Sequence, residues 1–207
     1  MPLIQLLDYA SVLIFALTGA LVASRAQLDL IGFAFFACLT GMGGGTLRDI
    51  LLDRNPIFWI GNPTYLAVAC AAALLVFFTA HLLESRYRAI LWLDALALGV
   101  SVSAGAAIAA ALDHHPAIIV LMGTATGCAG GLARDVVANE IPLVLKKGEL
   151  YVTCALAGAL VFVGVDLLAL SVGLTALACA SCTFILRAGS LIFGWSLPTY
   201  KPRPPRR

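Results

Sequence analysis

Gly41-Met-Gly-Gly-Gly-Thr-Leu-Arg-Asp49 is the most informative segment of the sequence, because it returns later in the chain as Gly127-Cys-Ala-Gly-Gly-Leu-Ala-Arg-Asp135. The two copies are 86 residues apart, and the same offset aligns the sequence around them without a gap. The further matches are glycine, proline, tyrosine and charged positions, and they pair Asp8 with Asp94, Gly19-Ala20 with Gly105-Ala106, Thr40 with Thr126, Pro56 with Pro142, and Tyr65 with Tyr151. Matches of these residue types indicate an internal repeat.

The composition places this repeat in a membrane. Of the 207 residues, 61% are hydrophobic and 12% are charged, and the mean hydropathy is +0.99. A soluble domain is about half apolar and about a quarter charged, and it could not hide this much apolar surface. The composition excludes a soluble enzyme, a disordered chain and a nucleic-acid-binding domain. It predicts an integral membrane protein, not an enzyme, whose surroundings are the lipid bilayer.

Seven apolar segments are long enough to cross a bilayer as helices. About 20 helical residues span ~30 Å of hydrocarbon, whereas the strands of a membrane barrel need only ~10 residues. The segments cover about residues 5–24, 30–52, 63–83, 90–111, 116–138, 150–168 and 171–193.

Each copy of the repeat holds three segments, and this odd number makes the second copy enter the membrane from the opposite side. The predicted fold is therefore an all-α integral membrane protein with two inverted-topology three-helix repeats plus a seventh helix. We assign residues 1–84 and 85–170 to the two repeats, 171–195 to the seventh helix and 196–207 to a basic cytoplasmic tail.

The basic residues predict the orientation of the chain. Seven spans put the two termini on opposite sides of the membrane. One side carries most of the lysines and arginines outside the spans, namely Arg25, Arg86, Arg88, Lys146, Lys147 and the tail from Lys201 to Arg207. The positive-inside rule makes this side cytoplasmic. We expect a multi-pass protein of a prokaryotic inner membrane with its N-terminus outside and its C-terminus in the cytoplasm.

The glycine clusters predict weak points in the second and fifth spans. Each interior glycine costs a helix roughly 1 kcal/mol, and the carbonyls freed by an unwound turn must face protein or a wet cavity. Such carbonyls can bind cations. We therefore expect broken helices that line a pathway, with the threonines as hydroxyl ligands, formed by Thr40, Gly41, Gly43, Gly44, Gly45, Thr126, Gly127, Gly130 and Gly131. The alternative is close helix packing through small residues.

Arginines one turn beyond the glycines are the second candidate feature. An ionisable group at such depth needs a partner. The repeat offers two equivalent pairs for gating or charge neutralisation, which join Asp8 with Arg48 and Asp94 with Arg134. Asp49 and Asp135 directly follow the arginines, so they point about 100° away on a helix and are expected to be poor partners. The alternative is that the arginines extend to the membrane surface.

No metal site or cofactor is predicted. The six cysteines lie within apolar segments, where cysteine behaves as a small hydrophobe. The three histidines lie at predicted loops. Pro56 and Pro142 are expected to end the second and fifth helices, and Tyr65 and Tyr151 to open the next spans.

The paired Gly-Gly-Gly-x-x-Arg-Asp and Gly-Gly-x-x-Arg-Asp motifs, each followed by proline, resemble those of the prokaryotic trimeric intracellular cation (TRIC) channels. Related bacterial proteins are often labelled as glycine-transporter-domain proteins. The resemblance covers nearly the whole chain. It implies a homotrimer with one pore inside each protomer, which passes monovalent cations such as K⁺. The second copy carries Ala129 where the first has Gly43, and the basic lipid-binding motif of animal members is absent.

These observations favour a homotrimeric monovalent cation channel with K⁺ or Na⁺ as the permeating ion and no soluble protein partner. A secondary transporter of a small solute such as glycine fits the inverted repeat equally well. A membrane scaffold without transport is the third alternative.

Overall fold

The described part of the chain forms seven long helices and one short helix. The computed structural model describes residues 2–83, 85–146 and 150–198. Its α-helices are α1 (Pro2–Arg25), α2 (Leu30–Leu51), the one-turn α3 (Phe58–Gly61), α4 (Thr64–Thr79), α5 (Arg86–Ala111), α6 (Pro116–Val137), α7 (Tyr151–Asp166) and α8 (Val172–Phe193). A 3₁₀ turn, Ala80–Leu82, extends α4. The predicted all-α fold is confirmed, and the expected tail from residue 199 onward and Lys147 lie outside the described residues.

Local sequence signals set several helix ends. The Asp29 carboxylate accepts the Gly32 backbone N–H at 2.8 Å and caps α2, and Ser85 caps α5 through the Arg88 N–H. Capping side chains satisfy backbone donors that have no partner in the first turn. Pro116 begins α6, where its missing N–H has no cost. Gly194 ends α8 with a φ of 66°, a left-handed conformation that favours glycine.

The helix bounds agree with the predicted segments within a few residues, with two informative differences. Helix α5 begins at Arg86 rather than near residue 90, because the Ser85 cap starts the helix within the charged loop. Helix α7 has 16 residues, or about 24 Å at 1.5 Å per residue. Among the described residues, six helices are long and apolar enough to cross a membrane, and α7 is a shorter apolar helix.

The helices pack as two equivalent groups. Helices α1, α2 and α4 contact one another, as do α5, α6 and α7. The equivalent helices also meet across the molecule, since α1 packs on α5 and α2 packs on α6. Contacts between equivalent helices are what a pseudo-two-fold axis between the groups requires, and the run of α1 through the membrane is opposite to that of α5. Helix α8 packs against α5 and α7.

Large apolar side chains lie on the exposed surface, whereas three arginines are buried in the interior. Leu167, Ile141 and Ile31 are 75% exposed or more. Arg48, Arg134 and Arg187, in contrast, are at most 1% exposed. This distribution suits a protein surrounded by lipid, because a charge inside the bilayer must be covered by protein and paired.

Candidate functional site

Two buried ion pairs lie at equivalent places in the two repeats. Nη1 of Arg48 donates to Oδ1 of Asp8 at 2.8 Å, and Nη1 of Arg134 donates to Oδ1 of Asp94 at 2.8 Å. The structure thus forms both pairs that the repeat predicts. Because α1 and α5 run in opposite directions, one pair lies toward the membrane side where α1 begins and the other toward the side where α1 ends. We call these sides the first face and the second face.

The aspartates next to the arginines are also partners, so the expectation that they are poor partners was wrong. Nε of Arg48 donates to Oδ1 of Asp49 at 2.9 Å, and Nε of Arg134 donates to Oδ1 of Asp135 at 2.8 Å. An arginine side chain is long enough to curl along the helix and bring Nε beside the next residue. The 100° separation of Cβ atoms therefore does not prevent the contact. Each arginine binds two carboxylates.

The same aspartates hold the segments that follow α2 and α6. Oδ2 of Asp49 accepts the backbone N–H of Phe58 at 2.9 Å, and Oδ2 of Asp135 accepts that of Leu143 at 2.9 Å. Arg54 adds a further hydrogen bond to Asp49, at 2.7 Å. This role of the aspartates was not predicted from the sequence. The constant spacing from each Arg-Asp pair to the next proline is the sequence feature that indicates it. Each cluster thereby joins three parts of its repeat: the first helix, the second helix and the loop.

The glycine clusters do not break their helices. Helix α2 continues to Leu51 and α6 to Val137, and both pass through the glycines as regular α-helix. The expected unwound turns are therefore a wrong prediction. The physical reason lies in packing: a β-carbon added at Gly44 would overlap the Thr126 carbonyl oxygen, and one added at Gly130 would overlap that of Thr40. The glycines let two intact helices touch backbone to backbone.

The remaining glycines of the motif serve different contacts. A β-carbon on Gly41 would lie 2.8 Å from the Val12 carbonyl oxygen of α1, so this glycine admits the first helix of its own repeat. One on Gly45 would meet the Phe58 ring at 2.6 Å. In the second repeat, Gly127 packs against α5, and Gly131 faces the hydroxyl of Tyr151. Gly43 has an open side, where an added β-carbon would have a single neighbour at 3.6 Å. The motif therefore packs helices on several faces at once.

The two threonines lie at the crossing of α2 and α6. Thr40 donates its hydroxyl hydrogen to the Phe36 carbonyl at 2.7 Å, and Thr126 donates to Met122 at 2.6 Å. Both residues are at most 3% exposed. Their hydroxyl hydrogens are committed within the helices, and a cation ligand role for the oxygens stays a prediction.

A cavity opens from each face toward its ion pair. The first-face cavity has a volume of about 260 Å³ and is lined by Asp8, Arg54, Phe58 and Tyr65 among others. Asp8 keeps 12% of its side chain exposed there. The cavity therefore reaches the carboxylate of the first-face ion pair, whereas its partner Arg48 is buried.

The second-face cavity has a volume of about 300 Å³ and reaches Arg134 and Asp135. At its rim, Nη1 of Arg25 lies 3.2 Å from a Glu140 carboxylate oxygen. The Lys146 ammonium donates to the Tyr87 hydroxyl at 2.7 Å. The two cavities are separate, and each is lined by one member of the ion pair at its own face: Asp8 at the first face and Arg134 at the second.

Three residues near the ion pairs, of which Thr18 and Arg187 are fully buried and Phe58 is partly buried, were not predicted from the sequence. Thr18 of α1 accepts a hydrogen bond from Nη1 of Arg134 at 2.9 Å, across the boundary between the repeats. Arg187 of α8 is fully buried, with its guanidinium carbon 5.2 Å from the centre of the Tyr151 ring. The Phe58 ring lies 5.5 Å from the Arg48 guanidinium carbon. The repeat could not reveal Thr18, whose equivalent is alanine, nor Arg187, which lies outside it.

Fold and site together define a multi-pass α-helical membrane protein with two inverted repeats and a buried charge cluster toward each face. The sequence model of the family described as Glycine transporter matches residues 5–81 and again residues 91–166. The chain belongs to this family. The separate matches to the two halves agree with the internal repeat.

Relatives and solved structures extend this assignment. The UPF0126 membrane protein of Vibrio cholerae is 34% identical over 205 residues, which cover 96% of this chain and 83% of that protein. The UPF0126 inner membrane protein YadS of Escherichia coli K12 is 38% identical over 163 residues, or 77% of each chain. These relatives, like this chain, are membrane proteins.

Two solved structures have nearly the same fold. The TRIC trimeric intracellular cation channel orthologue from Rhodobacter sphaeroides is 41% identical, with a TM-score of 0.91 over 94% of this chain and 100% of that chain. A prokaryotic TRIC channel in 0.5 M KCl is 27% identical, with a TM-score of 0.87 over 94% and 98% of the two chains. The resemblance to prokaryotic TRIC channels is confirmed, and these structures are of channels rather than enzymes.

Proposed function

We propose that this chain is a homotrimeric channel for monovalent cations such as K⁺, with one permeation path inside each protomer. The path joins the first-face cavity to the second-face cavity along the interface of α2 and α6. The observation that carries the proposal is that two equivalent Asp–Arg pairs lie toward opposite faces, each with one member lining the cavity of its face.

The charges near this path suit a cation only while the arginines are paired. An unpaired arginine ~5 Å from a passing ion repels it by roughly 3 kcal/mol at an effective dielectric constant of about 20, which lowers flux by about two orders of magnitude. Asp8 and Asp49 offset Arg48, and Asp94 and Asp135 offset Arg134. Movement of either arginine relative to its carboxylates would therefore control passage.

The intact helices change how the path opens. Because Gly44 and Gly130 bring the two backbones into contact, an ion cannot pass between the cavities without a separation or rotation of α2 against α6. Packed helices shift by an ångström or two in many switching proteins. We therefore place the opening movement at the helix crossing rather than at unwound turns.

The assembly and the orientation complete the proposal. The trimer rests on the trimeric channels that the chain resembles. The second face carries Arg25, Arg86, Arg88 and Lys146, so the positive-inside rule makes it cytoplasmic and puts the N-terminus outside a prokaryotic inner membrane. No cofactor takes part, and K⁺ or Na⁺ is the permeating ion.

Single-channel recording of the purified protein in planar bilayers is the decisive test. Unitary currents above ~10⁶ ions per second exceed any carrier cycle, because the conformational steps of carriers take microseconds to milliseconds or longer. We expect such currents in KCl, with a reversal potential that follows the cation gradient. Their absence from trimers that are intact by size-exclusion chromatography would contradict the proposal.

A secondary transporter of a small solute such as glycine is the second candidate. The presence of two separate cavities, one at each face, favours it, because alternating access needs a site that opens to one face at a time. Uptake of labelled glycine into proteoliposomes, driven by a Na⁺ or proton gradient and without unitary currents, would support this candidate over the channel.

A further inference from the structure

The two buried arginines are equivalent in sequence but are not held equally. Nη1 of Arg134 donates both to Asp94 and to the Thr18 hydroxyl, and Nη2 lies 2.8 Å from Asp135. Arg48 has its two carboxylates but no hydroxyl partner, and its Nη2 has no hydrogen-bond partner among the described residues. The two clusters are therefore not equivalent, because Arg134 has a hydroxyl partner at Nη1 and a carboxylate partner at Nη2 that Arg48 lacks.

The difference in the hydroxyl contact follows from a single position of the repeat. The offset of 86 residues aligns Thr18 with Ala104. Thr18 of α1 contacts Arg134 of α6. In the equivalent arrangement, Ala104 lies on α5 and Arg48 lies on α2, and these two helices are also in contact. Both residues are fully buried. By the two-fold relation, Ala104 takes the place facing Arg48 but supplies no oxygen.

The Thr18 hydroxyl is well placed to hold a guanidinium. Its hydrogen is donated to the Phe15 carbonyl at 2.8 Å, so a lone pair of the oxygen is turned to Nη1 of Arg134. A hydroxyl that has already donated its hydrogen acts as an acceptor, and hydrogen bonds to charged groups are about twice as strong as neutral ones. The Phe58 ring near Arg48 offers a contact without such a fixed direction.

We propose that Thr18 is a positioning residue that fastens Arg134 to its carboxylates and keeps the second-face end of the pathway in the paired state that suits a cation. Arg48, which lacks this contact, leaves its paired position more readily. The consequence for flux rests on the proposed channel function, whereas the unequal mobility of the two arginines does not.

Arginine-selective modification tests the mobility directly. Both guanidinium groups are at most 1% exposed, so a small dicarbonyl such as 2,3-butanedione reacts only when an arginine leaves its carboxylates. Purified trimers are treated, digested and analysed by mass spectrometry to give separate rates for Arg48 and Arg134. The loss or gain of one charge-assisted hydrogen bond changes the fraction of arginine that has left its carboxylates by about tenfold or more. We expect Arg48 to react about tenfold faster than Arg134.

Three substitutions separate positioning from general loosening. Thr18→Val keeps the shape but removes the oxygen, and we expect the modification rate of Arg134 to rise about tenfold while that of Arg48 is unchanged. Thr18→Ser restores the oxygen and the slow rate. Ala104→Thr adds the missing hydroxyl to the first-face cluster, and we expect it to slow the modification of Arg48.

The outcomes separate this inference from the proposed function. Equal rates at the two arginines in the wild-type protein, or a Thr18→Val variant that speeds both arginines alike, would overturn the inference even if the protein conducts. If no variant conducts but the rates differ as expected, the channel proposal fails and the positioning role stands. In a conducting protein, Thr18→Val lowers the flux per trimer by about tenfold, because Arg134 is unpaired more often and repels cations, and Thr18→Ser leaves the flux unchanged.

Discussion

At the scale of single residues, the buried arginines dominate the energetics. Removing one partner of a buried ion pair costs about 3–5 kcal/mol, because the other charge is left without compensation. Arg48 and Arg134 escape this cost through two carboxylates each, of which one comes from the first helix of the same repeat. The clusters are therefore expected to contribute to the stability of the fold.

The exposure of the two helix-start aspartates leads to a prediction on stability. The Asp94 side chain is 1% exposed, whereas that of Asp8 is 12% exposed beside the first-face cavity. Water can replace part of the hydrogen bonding that the Asp8 carboxylate supplies to its arginine, but it cannot replace that of the buried Asp94 carboxylate. We expect Asp94→Asn to lower the free energy of unfolding by about 3–5 kcal/mol and Asp8→Asn by about half as much.

Thermal unfolding of the two variants in the same detergent measures this difference. Each is compared with the wild-type protein after size-exclusion chromatography, and Asp29→Asn, which changes an exposed helix cap, serves as the control for loss of a carboxylate. Equal destabilisation by Asp8→Asn and Asp94→Asn would show that access of water to Asp8 has no energetic effect.

The sign of the charge near the path leads to a prediction on flux. Arg134→Gln removes a positive charge and leaves two carboxylates at the second-face cavity, so we expect the cation flux per folded trimer to rise by about tenfold. Asp94→Asn leaves the arginine less compensated and is expected to lower the flux by a similar factor. Flux into proteoliposomes loaded with equal amounts of folded trimer is the measurement.

A purely structural role for this pair predicts a different result. Both substitutions would then reduce the yield of folded trimer, and neither would alter the flux of the trimers that remain. The same direction of change in the two variants would also contradict control by charge.

At the scale of elements, the crossing of α2 and α6 is the central contact between the repeats. Small residues let two helix backbones approach in a membrane, where the aqueous hydrophobic effect does not drive helices together. The Cα atoms of Gly44 and Gly130 lie against carbonyl oxygens of the facing helix, a geometry that permits weak C–H···O contacts. The crossing is reciprocal, as the two-fold relation requires.

Neighbouring glycines in α2 provide a matched test of this contact. A methyl group at Gly44 would overlap the Thr126 carbonyl, whereas one at Gly43 would have its nearest neighbour at 3.6 Å. We expect Gly44→Ala to destabilise the folded protein by about 1–3 kcal/mol and to change its conductance, because the backbones must separate. Gly43→Ala is expected to be neutral or to stabilise by up to ~1 kcal/mol, since alanine favours the helix.

Unfolding curves and single-channel conductance of the two alanine variants are the measurements. Gly130→Ala, at the reciprocal position, should behave as Gly44→Ala does. A Gly44→Ala protein that is as stable as the wild type and conducts like it would place the opening movement elsewhere.

At the scale of the whole molecule, the inverted repeat makes the two faces similar, and the loops make them different. The two clusters and cavities are related by the repeat, but the loops at the second face carry most of the basic residues. Helix α8 adds a second asymmetry, because it packs against the second repeat through α5 and α7. The termini of the chain belong to opposite faces if all seven long helices cross the membrane.

This arrangement leads to a prediction on orientation. In a chain without native cysteines, a cysteine at His114 lies in the turn between α5 and α6 at the first face, and a cysteine at Tyr200 lies after α8. We expect a membrane-impermeant thiol reagent to label the His114→Cys protein in intact cells, and the Tyr200→Cys protein only after lysis. Labelling of Tyr200→Cys in intact cells would reverse the orientation.

The membrane location, the seven helices, the inverted repeat and the two Asp–Arg pairs could all be predicted from the amino-acid sequence. Composition and the length of apolar runs are set by the solvent, which here is lipid, and they do not depend on a particular tertiary contact. The pairs followed from the repeat, because equivalent residues with opposite charges lay near the same face. Composition is a property of the whole chain, and the pairs occur twice, so both can be recognised in a single sequence.

The packing role of the glycines and the contacts of each arginine depend on the tertiary structure. An interior glycine weakens an isolated helix, but contact with a second helix at Gly44 keeps α2 intact, and helix propensity cannot reveal that contact. The curl of Arg48 toward Asp49 and the reach of Thr18 to Arg134 depend on side-chain conformations and on contacts between the repeats. Such contacts arise only when distant segments pack, so local sequence patterns do not contain them.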